Sequence, residues 1–444
     1  MVTRIAIIGG GLAGSEAALQ CARLGVPVTL HEMRPASATP AHRTDRLGEL
    51  VCSNSFKTTD VENAHGLLKA ELERLSSALL EIAYESRIPA GAALGVDRER
   101  FAEGVTAAVE AEPLIEVVRE ERTALDPDEV TVIATGPLTS DGLTRRIEEI
   151  LGAESLAFYD AISPIVAHDS LVEGEWWAAS RYGKGGADYL NCPLDRDTYE
   201  RFVDALLEAE LYPLKDFERA MFFEGCLPIE EMARRGRDTL RFGPMKPVGL
   251  VDPRTGRTPH AVLQLRRENA DGTMFNLVGC QTRLRYGDQK RVFGLVPALV
   301  QAEFLRHGQV HRNTFLQHPV ALDRFGRPRE GWPRLFFAGQ LTGVEGYVES
   351  IMSGLLAGWN AVRALRGDEP VLPPSDTMIG ALYRYLSSAD PRGFQPMNAN
   401  FGLLPSPEPR IRDKRVRRRI QTTHALEALE EWARQGHPAL AGVA

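Results

Sequence analysis

An α/β fold is predicted, with a parallel sheet begun at the amino end, interrupted by a long α+β insertion and completed near the carboxy end. Three observations carry this prediction. A β-branched run, Ile5–Ile8, leads into glycines at 9, 11 and 14 and then into an alanine-rich helical stretch. Residues 115–136, "IEVVREERTALDPDEVTVIATG", read as two strands around a turn that close on Ala134-Thr135-Gly136. Residues 334–365, "RLFFAGQLTGVEGYVESIMSGLLAGWNAVRAL", read as a short strand, a Gly-rich loop and a long helix starting near Gly346.

The first unit has the spacing of a dinucleotide-binding βαβ element. Gly9 permits a tight turn, Gly11 lets the backbone approach a pyrophosphate, and Gly14 lets the helix pack close to the strand. The helix amino terminus offers free N–H groups and a positive dipole end to phosphates. A second apolar run, Val28–Leu30, ends at Glu32, 21 residues beyond Gly11, where a carboxylate can accept ribose hydroxyls and disfavours a 2′-phosphate. GxGxxG alone is weak; strand, helix and acid in register make it specific.

Bulk properties narrow the class. A chain of 444 residues suggests two or three domains. No apolar run approaches the roughly 20 residues of a membrane span, and the start "MVTRIAIIGG" lacks the features of a secretory signal, so a cytoplasmic protein without a membrane partner is expected. Five cysteines, at 21, 52, 192, 226 and 280, are odd in number and form no CxxC pair, so neither a disulfide framework nor a metal site is indicated. The net charge of −8 argues against wholesale coating of nucleic acid but leaves room for a local basic patch.

Between the first unit and the late strand lies the insertion, with aromatic-rich segments such as "FYDAISPIVAHDS" and "RYGKGGADYLNCP". It contains no second complete GxGxxG unit; Gly183, Gly185 and Gly186 fit a flexible loop better than a phosphate cradle. The boundaries read as 1–145 and 316–444 for the split domain and 146–315 for the insertion. "RGDEPVLPPSDT", 366–377, is a Pro-rich connection into a helical end.

Two cysteines invite chemistry. Cys52 lies in "GELVCSNSFK", a Ser/Asn-rich loop that also holds Asn54; no second cysteine follows at disulfide-reductase spacing. Cys226 is flanked by Glu224, Glu230 and Glu231 and followed by Arg234, Arg235, Arg237, Arg241 and Lys246. The cations favour a thiolate and the acids oppose it, so composition leaves packing and reactivity both open. The densest charge run is Arg410, Arg412, Lys414, Arg415, Arg417, Arg418 and Arg419, with Asp413 inside it. It suits a solvated helix face or a phosphate-contact surface.

The apolar strand closing on ATG and the late Gly-rich loop and helix resemble a Rossmann-like, FAD-binding domain of the two-dinucleotide flavoprotein type. In such proteins the loop after the second strand lies near the isoalloxazine, which would place Cys52 and Asn54 by the flavin. The late loop, with Gly339 and Gly346, would bring a helix amino terminus to the ring. The stretches "GGGLAGSEAA", "HEMRP", "ELVCSNSFK", "FYDAISPIV", "SRYGKGGADYLNCP", "FFEGCLPIEEMARRG", "GPMKPVGL", "HRNTF", "LFFAGQLTGVEGYVESIMSG" and "FQPMNANFGLLP" cover essentially the whole chain. Together they resemble the bacterial folate- and FAD-dependent tRNA (uracil-5-)-methyltransferases. The related flavoproteins that modify the tRNA wobble uridine share the nucleotide unit but are longer and lack "FQPMNANFGLLP".

The resemblance implies methylation of C5 of the T-loop uridine (U54) of tRNA. 5,10-Methylenetetrahydrofolate would be the one-carbon donor, with FAD reduced by NADH or NADPH. It implies Cys226 as the nucleophile that adds to uracil C6, Cys52 as a second, flavin-proximal thiol, and Tyr347 stacked on the flavin or the pterin, where ordinary core packing is the alternative. Arg234, Arg235, Arg237, Lys246 and the seven cations from Arg410 to Arg419 are the candidate tRNA contacts. The competing readings are a wobble-uridine-modifying flavoprotein and an FAD-dependent oxidoreductase of a small molecule. The oligomeric state is left open, a monomer included.

Overall fold

A computed structural model describes residues 4–39, 41–152, 156–183, 186–213, 227–408 and 411–435, without the side chains of 156–161 and 311–313. Its first layer is a five-stranded, all-parallel sheet in the order Leu335–Phe337, Thr131–Ile133, Ile5–Ile8, Val28–His31, Ile115–Val118. Ile5 to Ile8 are all buried, as expected of a strand covered on both faces. The two strands of 115–136 both exist but do not pair. One adds outside Val28–His31 and the other beside Ile5–Ile8, each parallel to its neighbour, with the residues between them serving as a crossover rather than a hairpin turn.

The helix Leu12–Arg23 follows the first strand, and the long helix Tyr347–Arg366 follows the last. They touch backbone to backbone. A Cβ on Gly354 would lie 2.2 Å from the Ala13 carbonyl oxygen, and one on Gly358 2.8 Å from that of Ala17. Cys21 Sγ donates to the Gly358 carbonyl at 3.4 Å, and Trp359 Nε1 donates to Gln20 Oε1 at 3.0 Å. The carboxy-terminal helices Met378–Ser388 and Lys414–Arg434 join the same core through Leu382, Leu429 and Trp432.

The inserted segment builds a six-stranded antiparallel sheet ordered Trp177–Ala178, Tyr189–Leu194, Ala261–Arg267, Met274–Leu277, Ile165–Ala167, Phe304–Arg306. It has its own core, including Phe202, Leu206, Leu263, Leu265 and Phe293. An antiparallel ribbon, Leu156–Ile162 with Gln309–Phe315, carries the chain in and out. Among the described residues no helix is long and apolar enough to cross a membrane.

Gly354→Ala tests the helix contact. A methyl group has no room against the Ala13 carbonyl, so urea denaturation should show a loss of about 1–3 kcal/mol, the usual cost of overpacking.

Candidate nucleotide site and thiol loop

The glycine cradle is sterically specified. Gly9 has φ +105°, and a Cβ there would meet the Ala134 carbonyl oxygen at 2.7 Å. A Cβ on Gly14 would sit 1.8 Å from the Gly9 carbonyl oxygen, so only glycine lets this helix rest on its strand. Gly11, the residue capping the helix, faces open space instead. A cleft opens there, lined by Gly9, Gly11, His31, Glu32 and Thr135 among others.

Glu32 does more than line the cleft. Its Oε2 accepts the Gly10 N–H at 2.9 Å, while its Oε1 accepts the Arg34 N–H at 3.0 Å and Arg34 Nε at 2.9 Å. Burial pushes its pKa up, but Arg34 and these N–H groups outweigh it, so the carboxyl lies below its ordinary value and stays ionised. Arg34 also binds Glu49, at 3.1 Å from Nη1, which fixes the chain between the second strand and the cysteine loop. Only the remaining lone pairs of Glu32 face the cleft, which narrows the expected ribose contact to those.

Around Cys52 side chains hold five backbone groups between Leu50 and Ser53. Tyr347 Oη accepts the N–H groups of Cys52 at 2.9 Å and Ser53 at 3.0 Å. Arg98 donates to the carbonyls of Leu50 at 2.8 Å and Cys52 at 3.0 Å, and Arg306 Nη2 donates to that of Val51 at 2.6 Å. Arg98 is paired with the buried Glu268, whose charge more than offsets the burial that would lower the guanidinium pKa. Arg306 has no carboxylate partner among the described residues, and its buried Nε makes no hydrogen bond. Burial, reinforced by the Arg98 and Arg43 charges, pushes Arg306 down to about 10.

Asn54 braces the loop from inside the protein. It is fully buried; Nδ2 donates to the Val96 and Arg267 carbonyls, and Oδ1 accepts from Arg266 Nε at 3.0 Å. The other described cysteines are inert by burial: Cys21 is pushed up to about 12, and Cys192 and Cys280 are raised for the same reason. Cys52 alone among them is partly accessible. Cys226 and Arg410 lie outside the described residues.

Gly346, with φ +115°, caps the long helix, and Gly339, with φ +77°, opens the loop before it and donates its N–H to Ser353 Oγ at 2.7 Å. The Tyr347 ring packs on Phe56, with centroids 5.6 Å apart. In the helix's first turn, buried Glu349 accepts the Ala399 N–H at 3.0 Å and lies 3.3 Å from His65 Nδ1. Burial opposes its ionisation, yet His65, Lys57 and the Ala399 N–H hold it at about 2. Ala399 belongs to "FQPMNANFGLLP", which also exchanges backbone bonds with Gly343 and Glu345 through Met397. Arg98, Glu268, Arg306 and Glu349 were not singled out in the sequence; Glu349 alone had a signal, two residues after Tyr347 at the helix start.

The candidate cations are placed unequally. Arg234 pairs with Glu231 and Arg237 with Asp204, Arg235 also has a partner, and Lys246 makes no ion pair among the described residues. Asp413 caps the last helix. Arg415 and Arg419 reach Glu62, Arg418 lies over the Phe401 ring, Arg417 touches the Ile411 carbonyl, and Arg412 and Lys414 are exposed. Among the described residues there is no group of three or more side chains suited to a metal.

A parallel sheet with a glycine cradle, an acid at the second strand and a glycine-capped helix beside a thiol loop defines a dinucleotide-binding protein of the flavoprotein kind. A family model described as Glucose inhibited division protein A matches residues 4–369. "Methylenetetrahydrofolate--tRNA-(uracil-5-)-methyltransferase TrmFO" of Geobacter sulfurreducens is 56% identical over 97% of this chain and 99% of its own. The protein of that name from Pelotomaculum thermopropionicum is 54% identical over 96% and 98%. Among solved structures, Aquifex aeolicus GidA in its form I crystal superposes with a TM-score of 0.70 at 16% identity, covering 96% of this chain and 75% of that one. The chain belongs to the Glucose inhibited division protein A family and, within it, to the TrmFO relatives.

Tyr347→Phe keeps the ring and strands the N–H groups of Cys52 and Ser53. Thermal denaturation should register a loss of about 1–3 kcal/mol, and turnover should fall while FAD absorbance persists. Glu349 gives a pH signature. Its pKa is depressed from 4.5 to about 2, so its stabilisation is full above pH 4.5 and disappears as pH falls through about 2. Acid titration of wild type against Glu349→Gln should show an extra acid loss of about 3 kcal/mol in wild type only.

Proposed function

We propose that this protein methylates C5 of the T-loop uridine (U54) of tRNA, taking the one-carbon unit from 5,10-methylenetetrahydrofolate. The observation that carries the reading is full-length identity above 50% to relatives named for this reaction. A partly accessible thiol held beside the start of the glycine-capped helix supports it. The chain divides, on this reading, into an FAD domain of residues 1–145 and 316–444 and an insertion of 146–315, in keeping with the two separate cores.

FAD fits the residues present. The cradle of Gly9 and Gly14 excludes a Cβ, Gly11 opens on the cleft, and Glu32 offers an anionic ribose partner that disfavours a 2′-phosphate. Gly339 and Gly346 shape the loop that would carry the ring. When bound and reduced by NADH or NADPH, FAD supplies the hydride that turns the transferred methylene into methyl.

The chain's own groups do the rest. Cys226 is the nucleophile: its thiolate adds to uracil C6 and makes C5 an enolate carbon able to attack the methylene donor. Cys52 assists proton removal from C5 or methylene handling, with its loop fixed by Tyr347, Arg98 and Arg306. The base must leave the T-loop stack to reach these thiols.

The basic helix Lys414–Arg434 is the proposed phosphate contact, together with Arg412 before it. Five cations stand within its first six residues, where the helix dipole disfavours them, so their placement serves something other than helix stability. The helix packs on the segment after the cysteine loop: Thr422 Oγ1 donates to the Val61 carbonyl at 2.9 Å, and Glu62 binds Arg415 and Arg419. The protein acts, on this reading, in the cytoplasm.

Incubation with T-arm RNA, labelled methylenetetrahydrofolate, FAD and NADH should give labelled 5-methyluridine; RNA recovered without label overturns the reading. Cys226→Ala should abolish turnover and retain FAD absorbance, and mass spectrometry of wild type stalled on a 5-fluorouridine T-arm should map the covalent adduct to Cys226.

A further inference from the structure

Three of the exposed large apolar side chains among the described residues belong to one turn and the loop it packs on in the insertion: Tyr182, 62% exposed, Val248 at 56% and Val251 at 57%. Tyr182 is also conformationally unusual, with φ +58°, a left-handed backbone that non-glycine residues avoid. Its N–H donates to the Gly249 carbonyl at 3.0 Å. Its ring rests on Gly249, where a Cβ would come within 2.8 Å of it, so the position requires glycine. An aromatic ring is thus held in a strained conformation, backed by main chain and open to solvent, which makes it a candidate functional feature.

The surroundings are basic. Residues 238–257 carry four cations and two acids; Asp238 is taken by Arg241 and Asp252 by Arg254. Lys246 and Arg257 have no ion-pair partner among the described residues, and Arg181 spends its donors on Gln264 Oε1 and the Val248 carbonyl. A positive rim around an exposed aromatic in a chain of net charge −8 is complementary to RNA.

The position relates to the thiol loop. In the strand Ala261–Arg267, Gln264 binds Arg181 and Arg266 binds Asn54, two residues from Cys52. Residues 264 and 266 share a strand face and lie about 7 Å apart along it. The Tyr182 turn and the Cys52 loop therefore attach to the same side of the inserted sheet.

We propose that Tyr182, with the Val248–Val251 loop beside it, is a stacking platform for an unstacked base of the RNA substrate next to the extracted uridine, with Lys246 and Arg257 at the adjoining phosphates. This rests on the tRNA reading above. Stacking accounts for an aromatic ring kept exposed at a strained position, where a purely structural role calls for burial or for glycine.

Tyr182→Gly separates the two roles, because glycine relieves the left-handed backbone while removing the ring. With FAD-loaded enzyme, the Kd for T-arm RNA should rise about tenfold, while the melting temperature holds or increases and NADH-dependent flavin reduction is unchanged. Tyr182→Trp should bind as wild type. Unchanged affinity in Tyr182→Gly, or equal weakening in Tyr182→Trp, overturns the platform. T-arm RNA carrying 2-aminopurine beside the target gives an independent readout: wild type should quench it and Tyr182→Gly should not. If wild type binds and quenches without methylating, the function reading falls and the platform stands.

Discussion

The contact on which the site depends is the close approach of two helices far apart in sequence, at Ala13 with Gly354 and Ala17 with Gly358. The first helix begins at the glycine cradle and the second at Gly346 and Tyr347. Pressing their backbones together brings both amino termini to one end of the parallel sheet, where each presents unpaired N–H groups and a positive dipole end. Larger residues would hold the helices apart and separate the cradle from the thiol loop that Tyr347 anchors. Glycine in a helix interior costs roughly 1 kcal/mol relative to alanine, a penalty the packing has to offset.

The second constraint joins the inserted sheet to the first domain. Arg98 pairs with Glu268, Arg306 reaches the Val51 carbonyl, and Asn54 is held by Arg266 and Arg267. Four residues of the insertion therefore brace a loop whose neighbours, Leu47 and Phe56, are buried in the first core. The loop cannot take its shape from either body alone. That arrangement makes the orientation of Cys52 responsive to how the insertion sits, because a shift there breaks hydrogen bonds to buried carbonyls.

How much of this was legible follows from what kind of signal each feature leaves. The cradle could be read because its three glycines and Glu32 obey a local steric rule at fixed spacing. The long helix could be read from its apolar periodicity and glycine-rich start. The strands around residues 115–136 were seen, but their placement on either side of two other strands depends on partners more than 80 residues away. Arg98, Glu268 and Arg306 left no trace, since each is an ordinary charged residue whose meaning comes from burial against distant carbonyls. The bracing role of Asn54 was hidden for the same reason: its amide is committed to Val96, Arg266 and Arg267, far away in the chain.

The uncompensated charge of Arg306 adds a last step. A largely buried guanidinium without a carboxylate is expensive, yet removing it would leave the Val51 carbonyl without its donor. Glu268, the nearby buried acid, is committed to Arg98 and leaves its own Oε1 without a hydrogen bond. Two arginines and one carboxylate thus share a poorly solvated space under the Leu50–Cys52 carbonyls, with a net positive charge beside the accessible thiol. The carbonyl bonds offset part of the cost by aiming three partial negative charges at the two guanidiniums. Replacing Arg306 with an apolar residue would remove the buried charge but leave the Val51 carbonyl unpaired, so the shape of the loop depends on keeping the cation.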